Sequence, residues 1–256
     1  AYTFLTKPID AVDLEPMIIQ AYQHSLEESS ITPLVGDSDS THQIRAMIEQ
    51  FSQLNEIILI SGETGTGKEV IAKQIHQGSQ LVERPFRSLH VTTLTEEQFE
   101  DPMYVHNHKV LVPLIQPMIL EELNDGTLLL DEISDLSLAQ QAKLLQFLET
   151  KRYRVDGGKN YIFQGRIIVT TRHDLAKKVK EGSFREDLYY RLNVFPIFVS
   201  SLQERVKDIL PILKYWLNRI TDDPYVFTDE AKQSLLSYSW PGNVREIVNL
   251  ARRIAM

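Results

Sequence analysis

Four apolar residues in a row, Ile57-Ile58-Leu59-Ile60, interrupt the polar background and run straight into the glycine-rich stretch SGETGTGKEV, residues 61–70. An unbroken apolar run of this length predicts a strand covered on both faces, as in a parallel sheet. Phe86–Val91, Thr127–Leu130 and Arg166–Thr170 predict three more strands. Helices are expected from Ile44 to Leu54, from Lys68 to about Gln77, and along the stripe Leu138, Ala142, Leu145 and Leu148. Strands alternating with helices argue for an α/β fold with a parallel sheet flanked by helices. From Leu202 onward the signals are all helical, which predicts a small C-terminal helical unit over 201–256. Residues 95–124 show no clear period. Upstream, Leu14, Ile18, Tyr22 and Leu26 mark one helix face, with Asp13 as its cap and Pro16 in its first turn. Residues 1–28 are too short to form a domain and are expected to be the end of one. Residues 29–40, SSITPLVGDSDS, have linker composition.

Composition narrows the function. The chain has 256 residues, a formal net charge of −8 and no cysteine. Disulfides and thiolate metal sites are excluded, and a reducing compartment, the cytoplasm, fits. No apolar run approaches the roughly 20 residues of a membrane-spanning helix. The acidic balance argues against a broad DNA grip by these residues.

The chemistry concentrates in two places. Gly62-Glu63-Thr64-Gly65-Thr66-Gly67-Lys68 fits G-x-x-x-x-G-K between a buried strand and a helix. Glycines let backbone N–H groups converge on a polyphosphate; the helix start and Lys68 add positive charge. The generic motif continues with Ser or Thr, a magnesium ligand; here Glu69 stands there. The second place is Gly126-Thr-Leu-Leu-Leu-Asp131-Glu132, a strand ending in two acids. Asp131 is suited to holding magnesium and Glu132 to polarising an attacking water. His106-Asn-His108 is a poor metal site without acids placed nearby, and His24 is read as an ordinary histidine.

GETGTGKE, GTLLLDEISDLSLAQQAKLLQFLE, FREDLYYRLNVFPI and SWPGNVRE resemble the AAA+ domain of NtrC-type bacterial transcription activators, which remodel sigma-54 RNA polymerase. The resemblance runs from about Leu34 to Met256. It implies a P-loop NTPase domain with an α/β part over 34–200 and a helical lid over 201–256, binding ATP and magnesium. Arg185 and Arg191 take the positions of arginine fingers that reach a neighbouring subunit's γ-phosphate. From spacing alone, Asp187 and Arg191 are also placed to pair as surface ions. Arg245 matches the second sensor, Thr171-Arg172 the first, and Val35-Gly36 a stretch beside the adenine. Glu69 after the lysine is usual in this family. Trp240 is expected to pack, and Pro241-Gly242-Asn243 to turn the chain into a helix. FLTKP is similar to the end of a receiver domain, in which Lys7 would contact a phosphorylated aspartate.

Three departures stand out. The family's GAFTGA loop, which touches sigma-54, is missing where this chain reads YVHNHKVLVPLIQPMILEEL. The Asn that tethers the catalytic glutamate is His90, and the first sensor's Thr-Asn is Thr171-Arg172, a cation expected near the γ-phosphate. Slow or absent hydrolysis with retained nucleotide binding follows. The leading expectation is therefore a response-regulator module that self-assembles, as dimer to hexamer, under nucleotide control. It would act on RNA polymerase without sigma-54 and reach DNA through a domain beyond Met256. VpsR-like members without GAFTGA imply cyclic di-GMP as a possible ligand, with Arg84, Arg87, Arg152, Arg154 and Arg172 as candidate contacts. The alternative is a working ring ATPase that remodels sigma-54 polymerase or another protein. A helicase-like motor is disfavoured by the acidic balance.

Overall fold

The computed structural model describes residues 32–91, 117–123, 125–154, 160–221 and 224–255. The chain divides into units 1–33 and 34–256, and the second carries the architecture below. The helix face Leu14–Leu26, Lys7, His24, His106 and His108 lie outside the described residues, as does the stretch that replaces GAFTGA up to residue 116.

Five strands form one sheet in the order β2-β3-β6-β1-β7. They are β1 (Ile58–Ser61), β2 (Phe86–His90), β3 (Thr127–Asp131), β6 (Arg166–Thr171) and β7 (Phe195–Phe198), and every pairing is parallel. The central three are buried almost throughout because helices cover both faces, which accounts for their unbroken apolar runs. On one face α1 (Asp39–Ser52) and α2 (Lys68–Gln77) bring Ile44, Ile48, Ile71 and Ile75 onto Ile58, Ile60, Leu129 and Ile168. On the other, α3 (Pro117–Leu123), α4 (Leu138–Thr150), α5 (Leu175–Lys180) and α6 (Glu186–Leu192) cover Leu59, Leu128, Leu130, Ile167 and Val169. A short antiparallel pair, β4 (Arg152–Arg154) and β5 (Asn160–Ile162), follows α4.

Two expectations need correction. The last residues of the supposed linker are fixed structure: Ser38 caps α1, and its hydroxyl accepts the Thr41 N–H. In α4 the buried face is Gln141, Leu144, Phe147 and Leu148, whereas Leu138 is exposed. Gln141 takes an interior position because its carboxamide is fully used. It donates to the carbonyls of Leu136 (2.9 Å) and Ser183 (3.1 Å) and accepts the Arg185 N–H (2.8 Å).

The helical lid comprises α7 (Ile209–Ile220), α8 (Asp229–Ser237) and α9 (Asn243–Ile254) around Leu202, Leu213, Leu217, Trp240, Ile247 and Ala251. Trp240 packs as expected, and its indole N–H donates to the Leu235 carbonyl at 2.8 Å.

Candidate functional site

The C-terminal edge of the sheet is where β1 ends and the glycine loop begins. The Gly62 N–H donates to the Thr171 carbonyl (3.1 Å), and the Val199 N–H to that of Ser61 (2.7 Å), so β6 and β7 clamp the loop's entry. Gly65 has φ +80°, and a Cβ there would sit 2.4 Å from the Gly242 carbonyl oxygen, so only glycine admits the lid this close. Gly67, at φ +103°, begins α2 without a side-chain cap.

Lys68 turns back under the loop. Its ammonium donates to the carbonyls of Gly62 (2.8 Å) and Glu63 (3.2 Å) and lies 3.1 Å from Glu132 Oε1. Both side chains are buried. Glu132 has left-handed φ +62° and is fixed on every side: its N–H donates to Thr170 Oγ1 (3.0 Å), and its Oε2 accepts the Arg172 N–H (2.8 Å). The Thr170 hydroxyl in turn donates to Asp131. His90 stands opposite Asp131 across the β2–β3 register, with Nε2 3.9 Å from Asp131 Oδ2. The residue in the family's tether position thus faces the first acid, and the Arg172 backbone holds the second.

The Arg172 side chain points elsewhere. Its guanidinium forks onto both oxygens of Asp135 at 3.1 and 3.2 Å. Thr171 is buried and spends its hydroxyl on the His173 backbone. Glu69 faces outward and pairs with Lys73 (3.0 Å), away from the loop. Together these elements make a cradle of backbone amides, one buried ammonium and two carboxylates. That donor set fits a polyphosphate with a hard divalent cation on Asp131.

The comparisons agree with this geometry. Residues 34–198 match the sigma-54 interaction domain, and residues 203–256 match the AAA+ ATPase lid domain. The chain belongs to the sigma-54 interaction domain family. It is similar to the response regulator protein PilR of Pseudomonas aeruginosa, 34% identical over 264 residues, covering 99% of this chain and 59% of that protein. It also resembles the Nif-specific regulatory protein of Azotobacter vinelandii, 37% identical over 229 residues, covering 87% of this chain and 44% of the relative. Among solved structures, NtrX from Brucella abortus in complex with ATP has a TM-score of 0.76 at 32% identity, covering 100% of this chain and 61% of that one. The chain therefore spans about three fifths of the length of PilR and NtrX.

In this sigma-54 interaction domain the remaining candidate residues are spread around the cradle. Val35 packs against the lid core. Gly36 lies against the Asp208 carboxylate, and its carbonyl accepts from Arg45 at 2.7 Å. Arg245 is exposed on the lid, and its N–H donates to the Gly65 carbonyl at 3.3 Å. Arg185 stands just before α6 and Arg191 in its last turn, both exposed. The ion pair expected between Asp187 and Arg191 is replaced: Asp187 chelates Arg185 at 3.0 and 2.7 Å, because Arg185 precedes the helix and can fold over its first turn. That hydrogen-bonded pairing holds the Asp187 carboxyl below the usual carboxylate range.

Three residues near the cradle have roles the sequence does not signal, Asn243 being readable only as part of a turn into a helix. Asp208, fully buried, accepts the N–H groups of Asp37 and Ser38 (both 2.7 Å) and the hydroxyls of Ser38 (2.8 Å) and Thr41 (2.6 Å). Arg205 lies 3.7 Å from it and donates to the Thr66 carbonyl at 2.7 Å. Asn243 bonds the loop directly from the lid. Each acts across more than a hundred residues of sequence, so no local pattern betrays it. Among the described residues there is no cluster of three or more His, Asp or Glu side chains suited to a metal. No described helix is long and apolar enough to cross a membrane.

Proposed function

We propose that this domain is a nucleotide-operated assembly module of a transcription regulator that binds ATP tightly and hydrolyses it slowly. The Lys68–Glu132 pair carries the proposal. A buried ammonium held by two carbonyls and one carboxylate sits beside a helix start that no side chain caps, and phosphate oxygens are the ligands that would replace the carboxylate. Magnesium held by Asp131 would supply charge neutralisation at the phosphates. Binding by this chain is further supported by its likeness to NtrX solved with ATP and with ADP.

Slow hydrolysis is supported by the environment of Glu132. A general base must have a free oxygen within reach of the water it polarises. Here Oε1 pairs with Lys68 and Oε2 accepts the Arg172 N–H, so each oxygen keeps only part of its accepting capacity for a water, and His90 stands on the side of Asp131. A triphosphate that draws Lys68 away frees one oxygen, but the other stays anchored to the sensor backbone. Losing one well-placed catalytic group costs on the order of a hundredfold in rate.

Arg185, just before α6, and Arg191, in its last turn, are exposed and would meet the nucleotide of a neighbouring copy, so occupancy controls assembly into a dimer to hexamer. Action on RNA polymerase without sigma-54 is supported by the absence of the GAFTGA hexapeptide from the sequence. DNA contact belongs to a domain outside this chain. Isothermal titration of ATP, ADP and cyclic di-GMP tests the ligand. ATP binding lost in Lys68→Ala is the expected result, and no ATP binding to the wild type overturns the proposal. Three of the arginines considered for a cyclic dinucleotide each pair with a separate acid: Arg84 with Asp125, Arg87 with Glu122 and Arg172 with Asp135. Cyclic di-GMP binding tighter than ATP would reassign the ligand.

A further inference from the structure

Asn243 links the lid to the phosphate loop more directly than any sensor arginine. Its carboxamide N–H groups donate to Glu63 Oε2 at 3.0 Å and to the Thr64 carbonyl at 3.1 Å. Its carboxamide oxygen accepts the Leu202 N–H at 2.7 Å, where the chain passes from sheet to lid. Both donors and the acceptor are used, the residue is 1% exposed, and its φ of +51° is one that Asn tolerates better than most residues. Two residues further along α9, the Arg245 N–H closes onto the Gly65 carbonyl.

We infer that Asn243 is the positioning residue that registers Arg245 and the lid against the nucleotide, with the Glu63 carboxylate as its partner on the loop. This rests on the proposed nucleotide site and adds a residue to it. Glu63 and Thr64 belong to the segment whose amides would wrap the phosphates, so a shift of that segment on binding moves the Asn243 anchor and, through α9, Arg245. A conventional helix cap needs only an acceptor. Here the two donors matter, because both loop partners are oxygens.

The chemistry gives a discriminating series. Asn243→Ala removes all three bonds. Asn243→Asp keeps the acceptor for Leu202 but loses both donors and sets a carboxylate against Glu63. Glu63→Ala removes one bond from an exposed loop position with little risk to folding. Both tryptophans, Trp216 and Trp240, lie in the lid, so intrinsic emission reports on lid rearrangement. The experiment titrates ATP into the wild type and these variants, reading affinity by calorimetry and the lid by emission.

Asn243→Ala is expected to weaken ATP about tenfold and Asn243→Asp about a hundredfold. Both should lose the nucleotide-induced emission change. Glu63→Ala should weaken ATP several-fold, and Asn243→Ala/Glu63→Ala should bind no worse than Asn243→Ala alone, because the two share one bond. Wild-type affinity and emission response in Glu63→Ala and Asn243→Asp would overturn the inference, as would strict additivity of the double variant. If Asn243→Ala fails to fold, Glu63→Ala still decides. A wild type that binds no ATP defeats the nucleotide site itself, a separate outcome from a wild type that binds and variants that match it.

Discussion

The two edges of the parallel sheet each bury a cation, and they treat it in opposite ways. At the C-terminal edge Lys68 is held by two loop carbonyls and a carboxylate, next to uncapped amides. At the N-terminal edge Arg166, 1% exposed, has no carboxylate within pairing distance among the described residues. It donates to the carbonyls of Phe51 and Ser52, where α1 ends. Burial pulls its pKa down to about 10. A guanidinium on the last carbonyls of a helix meets fixed partial charges and stays put. An ammonium on a carboxylate meets a full charge that another anion can replace. The first arrangement suits a structural bolt, the second an exchangeable site. Burial of a charge therefore does not itself mark function; the replaceability of its partner does.

If that contrast is right, Arg166→Ala costs about 3 kcal/mol in denaturant unfolding, since it strands two carbonyls and opens a cavity, while ATP affinity stays within about threefold. A loss below 1 kcal/mol would mean that the guanidinium is not a bolt. Lys68→Ala should instead lower ATP affinity at least about a hundredfold, read by calorimetry, a loss that Arg166→Ala does not share. Replacing His90 and Arg172 together by Asn, the residue of the family pattern at both, should raise the single-turnover rate about tenfold or more. Glu132→Gln removes the anion that competes for Lys68, so ATP should bind about fivefold tighter, read by calorimetry.

The smallest expected effect is a pH dependence at the N-terminal edge. His76 donates to or accepts from Thr127 Oγ1 at 2.8 Å, and burial, followed by the charge of Arg166, lowers its pKa below the ordinary 6.5. The unfolded chain then binds the proton more readily than the folded one. The stability it contributes is present above about pH 6.5 and is lost as pH falls toward the depressed folded pKa. His76→Gln should flatten unfolding free energy against pH in that window, and an unchanged slope would remove His76 from the account.

The sequence made the sheet's interior legible and its margins obscure. β1, β3 and β6 announce themselves because both faces are covered, so nothing polar interrupts them. β7 is not legible as a strand, although Val194–Val199 is apolar throughout, because Pro196 argues against one; an edge strand tolerates it. The apolar stripe of α4 gives the wrong phase because Gln141, a polar residue, is interior. In the site, Gly62–Lys68 and Asp131-Glu132 could be found because a local spacing encodes them. Asp208, Arg205 and Asn243 could not, since the partners that tie them to the loop and to the start of α1 lie 139 to 180 residues away. Where the Arg172 side chain goes was also invisible. Its attachment to Asp135 withdraws from the phosphate region the cation that the sequence placed there.

The most direct test is single-turnover hydrolysis of ATP preloaded on the wild-type domain with magnesium. An ordinary enzyme turns over at about 10 s⁻¹, and a Glu132 still anchored at Oε2 by the Arg172 backbone once ATP has drawn Lys68 away is expected to fall about a hundredfold short, near 0.1 s⁻¹ or less. Turnover of several per second, abolished by Glu132→Gln, would show that Glu132 is free to act and would contradict the account.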